Sequence, residues 1–99
     1  MLLSHAVALA EARSFLGALA DGARGLDAAL EYERVLIQLD WLHDGKVPTI
    51  TVVPPCGRGV LYLGARRAIA GLQQHDVDRL ELAICSSMLE AAWELDRAS

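Results

Sequence analysis

Aromatic side chains are scarce in this chain: one Phe, two Tyr and two Trp among 99 residues. Basic residues without interleaved aromatics do not build a stacking platform for nucleic acid. A net charge of −4 and a pI near 5.2 argue further against general affinity for phosphate backbones. Lysine occurs once, at Lys46. None follows the solitary Gly-x-Gly at 57–59, so that tripeptide lacks the fingerprint of a nucleotide-cradling loop. No apolar run approaches the ~18 residues needed to cross a bilayer, so no membrane partner is expected. Ala8-Leu9-Ala10 resembles a cleavage site, but no basic segment precedes it and Ser4, His5 and Glu11 interrupt the apolar stretch. An export signal is therefore not expected. The two cysteines, Cys56 and Cys85, suit a reducing cytoplasm, which is the expected location.

Repeats, low-complexity tracts and linkers are also missing. The chain reads as one domain over 1–99 with a central extended or loop segment at 47–63. Eight arginines to one lysine, with abundant alanine, is the usage expected of a GC-rich bacterial genome.

Proline is rare and tightly placed. Pro48, Pro54 and Pro55 bracket Thr49-Ile50-Thr51-Val52-Val53. Proline lacks an amide hydrogen and biases its predecessor away from helix, so no helix passes through this stretch. The branched Cβ atoms between the prolines favour an extended chain. The flanks are rich in Ala, Leu, Glu and Arg and read as helices. The first covers 2–20, closed by Asp21-Gly22. The second covers 26–44, with Asp27 and His43 placed as the helix dipole prefers. After the centre, a short third helix covers 65–74 and ends around His75. A fourth over 78–97 is capped by Asp76 or Asp78, and Asp78 with Glu81 has capping-box spacing.

A lone strand at 49–53 needs a partner, and Val60-Leu61-Tyr62-Leu63 is the nearest candidate, with 54–59 as the hairpin loop. A rival reading starts the third helix near Gly59. No Ser, Thr, Asp or Asn stands at 58–60 to cap such a helix, which favours the hairpin. The expected fold is thus mainly α with a minor β element, in the order ααββαα. Should the hairpin fail, residues 49–53 are expected to pair with their symmetry mate.

What the chain has in excess is apolar residues, 54% of the total. That exceeds the ~45–50% of ordinary globular proteins, and a small domain cannot hide so much by itself. The second helix shows where the excess falls. Ala28, Tyr32, Val35, Leu36, Leu39 and Leu42 form one apolar face. Leu26, Leu30, Ile37 and Trp41 form another, separated from the first by polar stripes. One face packs inward; the other marks the expected interface, most simply with a second copy of the chain. Another protein is the alternative partner.

Charge is uneven. Residues 1–44 hold three arginines against seven acids and 80–99 one against four, whereas 45–79 hold five basic residues against two acids. Within that basic centre, Arg58 beside Gly57 and Gly59 has the fork for a carboxylate or phosphate. Cys56 near Arg58 sits where reactive thiols occur. Arg66-Arg67 opens the expected third helix, where cations oppose the dipole unless an anion is close. These four residues are the candidate ligand contacts. Asp40 and His43 have the acid-x-x-His spacing of di-iron bundles, but the chain holds no second such half. No metal and no cofactor is expected.

These observations favour a non-catalytic interaction protein acting as a homo-oligomer: an adaptor, chaperone, immunity-type or regulatory subunit. The alternative is a small protein or enzyme binding an anionic ligand between the central hairpin and the helices, with Asp40, His43 or Cys56 as reactive groups. Nucleic-acid binding through the hairpin and Arg66-Arg67 is the third reading.

Overall fold

A computed structural model describes residues 3–74 and 77–98. Helix α1 covers Leu3–Asp21, α2 Leu26–Leu42, α3 Arg58–Gly71 and α4 Arg79–Ala98; a single 3-10 turn, Leu72–Gln74, extends α3. Each helix packs on two others: α1 on α2 and α3, and α4 on α2 and α3. The backbones of the diagonal pairs α1–α4 and α2–α3 do not approach each other, so the four form a square bundle, and only side chains such as Arg58 over the Tyr32 ring reach across it. Its radius of gyration, 12.4 Å, matches the ~13 Å of a compact chain of this length.

The core is aliphatic and alanine-rich. Leu9, Leu16 and Leu19 of α1 meet Tyr32, Val35 and Leu39 of α2, with Ala65 and Ile69 from α3, Leu72 from the 3-10 turn and Leu82, Cys85 and Leu89 from α4. Small residues let the helices come close. A Cβ built on Gly64 of α3 would lie 2.9–3.1 Å from three ring atoms of Phe15 on α1.

No strand occurs among the described residues, so the expected central β-hairpin is wrong and the fold is all-α. Residues 60–63 belong to α3, which starts at Arg58 rather than at 65. The burial pattern shows why. Leu61 and Tyr62 are both buried while Val60 and Leu63 are 60% and 51% exposed. Adjacent residues of a strand point to opposite faces; on a helix, 61 and 62 share one arc with Ala65, Ala68 and Ile69. The missing capping side chain is real, but it does not prevent the helix. Gly57 takes an extended conformation, and its carbonyl accepts from the amides of Val60 and Leu61 at 3.1 and 3.2 Å.

Residues 46–56 remain non-helical and run across α1. The Thr51 amide donates to Ser14 Oγ at 3.1 Å, and Ile50 lies against Gly17, 3.6 Å from where its Cβ would be. Ser14 Oγ also lies 3.2 Å from Thr51 Oγ1, so within the chain two bonds to a helix side chain, and no strand partner among the described residues, hold the 49–53 segment.

Helix α2 ends two residues earlier than its charge pattern implied. His43 is the C-cap, Asp44 and Gly45 take positive φ (55° and 72°), and the Gly45 amide donates to the Asp40 carbonyl at 2.9 Å. With Asp44 N–H donating to the Trp41 carbonyl, this is a Schellman closure. At α4, Asp78 Oδ1 accepts from the amides of Leu80 and Glu81, at 2.8 and 3.4 Å. The return arm of the expected capping box does not occur among the described residues; Glu81 Oε2 accepts from Gln38 of α2 at 3.1 Å. His75 and Asp76 lie outside the described residues.

Candidate functional site

The square bundle turns one side of each helix inward and leaves the opposite side in solvent. On α2 the outward side carries the four residues of the second apolar face. Leu26 is 74% exposed, Leu30 48%, Ile37 66% and Trp41 68%, while Ala28, Tyr32, Val35 and Leu39 are fully buried. Neighbouring α4 adds Leu80, Ile84 and Leu95, also exposed. A groove of about 470 Å³ runs between the two helices, lined by Leu30, Ile37 and Leu95 with Asp27, Glu31, Glu33 and Arg34 at its edges. A second concavity along α4 is lined by Leu80, Ala83, Ile84, Ser87, Met88 and Ala91. On α4, Leu82, Cys85, Leu89 and Ala92 are buried in the core, and Met88 and Trp93 pack half-buried against it.

Of the charged ligand candidates, Arg58 is engaged inside the molecule. Arg58 does grip a carboxylate, and it is the chain's own. Its Nε and Nη2 donate to Asp96 Oδ2 at 3.0 and 2.6 Å, and Nη2 also donates to the Leu19 carbonyl at 2.8 Å. Tyr32 Oη donates to the same oxygen at 3.0 Å, and the Arg24 amide to Oδ1 at 3.0 Å. Asp96, 2% exposed, therefore joins α4 to the first residue of α3, to Tyr32 of α2 and to the α1–α2 turn, and Arg58 carries the network on to Leu19 of α1. Burial alone would push its carboxyl pKa up. The Arg24 amide, Arg58 and Tyr32 together outweigh that and hold it below the usual range. Tyr32 moves the other way: burial, then the adjacent Asp96 charge, raise its phenol well above the ordinary value.

A second polar cluster secures the central segment. Arg13 forks onto Asp40, with Nε to Oδ1 at 2.8 Å and Nη2 to Oδ2 at 3.1 Å, and its Nη1 donates to the Pro48 carbonyl. Asp40 thus faces α1 and not His43. His43 Nδ1 lies 2.7 Å from the Leu39 carbonyl, so it carries the hydrogen there, and its Nε2 meets His5 Nε2 at 2.8 Å. The acid-x-x-His spacing brings no shared site together. Among the described residues no three His, Cys, Asp or Glu side chains are grouped to hold a metal.

Arg66 lies over the Tyr62 ring at 5.6 Å, and Tyr62 stacks on Trp93 at 4.5 Å. Arg67 is exposed on the same helix and Cys56 exposed on the central segment. The two grooves flanking residues 50–54, of about 560 and 300 Å³, contain neither these residues nor Arg58; their charged groups are Asp21, Glu33 and Glu11. The four ligand candidates thus lie outside both of these grooves. Cys85 is buried, and burial, then the nearby Glu81 charge, push its thiol up to about 11.

No protein-family model, curated protein or solved structure matches this chain. The geometry therefore carries the functional argument alone. Among the described residues no helix is long and apolar enough to cross a membrane. The residues that sequence reasoning missed are Asp96 and Arg13. Asp96 did leave a signal: it stands four residues after Ala92 on the core-facing side of α4, where a carboxylate demands donors.

Proposed function

We propose that this protein is a non-catalytic interaction module that works as a self-associated assembly, using the outer side of α2 and the adjoining side of α4. The observation that carries the reading is the exposure of Leu26, Leu30, Ile37 and Trp41 in a bundle whose core is already filled without them. Two facts add support. Arg58 and Asp40 serve internal ion pairs, and His43 bonds to His5 and the Leu39 carbonyl. The grooves beside the central segment offer no cationic side chain to an anion. Burying such an aliphatic and indole surface is worth about 25 cal/mol per Å², enough to drive association when a complementary face is presented.

Light scattering or sedimentation of the chain tests this directly. The expected result is a mass above that of a monomer, reduced to one chain by Ile37→Glu or Trp41→Glu without loss of helical circular dichroism. A parent chain that stays monomeric at high concentration overturns the reading.

A further inference from the structure

We propose that two copies pair by laying α2 alongside α2 in the same direction, across a two-fold axis running along the helix, with Glu33 of each copy bonded to Arg34 of the other. The proposal rests on the self-association reading above and specifies the surface and its register. At 3.6 residues per turn, Leu26, Leu30, Ile37 and Trp41 fall within about 60° of arc. Glu33 and Arg34 sit about 50° to either side of the centre of that arc, at its mid-length. An apolar seam flanked at one level by an acid on one edge and a base on the other is complementary to itself only in one direction. A two-fold axis along the helix sets Glu33 against the partner's Arg34, twice. Reversing the second helix about the same midpoint sets Glu33 against Glu33 and Arg34 against Arg34. Charge therefore selects the parallel pair, as flanking charges do in two-stranded coiled coils.

The surroundings permit it. Helix α2 packs on α1 and α4 and stands diagonally across from α3, so its outer side is an edge of the bundle open to a whole helix. Glu33 is exposed and has no ion pair among the described residues. Arg34, with its side chain 70% exposed, makes only a 3.5 Å contact with Glu31. Asp40, farther along the same edge as Glu33, is already neutralised by Arg13 and adds little repulsion.

The test uses the full chain carrying Glu33→Arg, Arg34→Glu, or both. Each single change sets like charges against each other at two places and is expected to weaken self-association roughly tenfold. An equal mixture of the two single variants restores association as a mixed pair, and the double exchange restores it within one chain. Direction is read separately in a Cys56→Ser background. Leu30→Cys is expected to oxidise to a disulfide-linked dimer with itself. Crosslinking seen only between Leu30→Cys and Ile37→Cys chains overturns the parallel arrangement. A chain that associates with unchanged strength in every charge variant overturns the α2 pairing but leaves self-association standing. A chain that never associates overturns both.

Discussion

Replacing Asp96 with alanine breaks the buried ion pair of this bundle. The carboxylate side chain is 3% exposed and receives four donors: the Arg24 amide, the Tyr32 hydroxyl, and Nε and Nη2 of Arg58. Removing it leaves a buried hydroxyl without its acceptor and a guanidinium without its counter-charge. Breaking a buried ion pair by deleting one partner costs about 3–5 kcal/mol. Arg58 retains 24% side-chain exposure, so water recovers part of its solvation and the lower figure, about 3 kcal/mol, is expected. For a domain of ~100 residues that corresponds to a fall in Tm of roughly 12–24 °C. Tyr32→Phe, which loses one hydrogen bond to a charged acceptor, should cost about 1.5–3 kcal/mol. The pair of changes should cost less than their sum, because they share one network. Urea unfolding at fixed protein concentration measures all three, the concentration being held because self-association adds its own stabilisation. The same carboxylate sets a pH dependence. Its folded pKa is lowered, so its contribution is complete above the unfolded value of ~3.9 and is lost as pH falls through the folded one. Tyr32, raised in the fold, is the opposite case: stability declines as pH climbs past its unfolded value of ~10. A loss below ~1 kcal/mol in Asp96→Ala, the range of an exposed pair, would refute the view that this carboxylate is the buried tie among the helix ends.

The other expectations are smaller. Gly64→Ala forces a methyl against the Phe15 ring and should cost about 1–3 kcal/mol by urea unfolding, part of it recovered in a background of Phe15→Leu. Arg13→Ala frees the Pro48 carbonyl and the Asp40 carboxylate together, so limited proteolysis should cut within 46–56 sooner than in the parent. Asp44→Gly relieves a non-glycine residue at φ 55° and should raise stability by about 1 kcal/mol. Thiol titration should find exposed Cys56 at once in the folded protein, and Cys85, buried with its pKa pushed up to about 11, only on unfolding.

The errors of sequence reading are instructive. Val60-Leu61-Tyr62-Leu63 is strand-like in composition, and nothing near residue 58 caps a helix. What sequence proximity cannot show is that Arg58 reaches Asp96 at the other end of the chain, a tertiary contact that anchors the first residue of α3. Arg58 looked free for the same reason: its carboxylate lies 38 positions away. Asp40 and His43 looked like a pair because three-residue spacing aligns them on a helix. The final turn instead unwinds at Asp44 and Gly45, and α1 supplies each with another partner.

Local chemistry in the chain already marked four features: where helix is impossible, at Pro48 to Pro55; that the fourth helix begins at Asp76 or Asp78; that α2 has two apolar faces, one of them for the core; and that Leu26, Leu30, Ile37 and Trp41 form a separate stripe. Those are local properties, set by backbone sterics and by a 3.6-residue period. Only the tertiary structure decided that Leu61 and Tyr62 share a helical arc, that Asp96 rather than a ligand takes Arg58, and that the outer stripe of α2 is left in water. Each of these depends on which distant side chains arrive at the same place, and pairing energies across 38 or more positions leave no imprint on local composition.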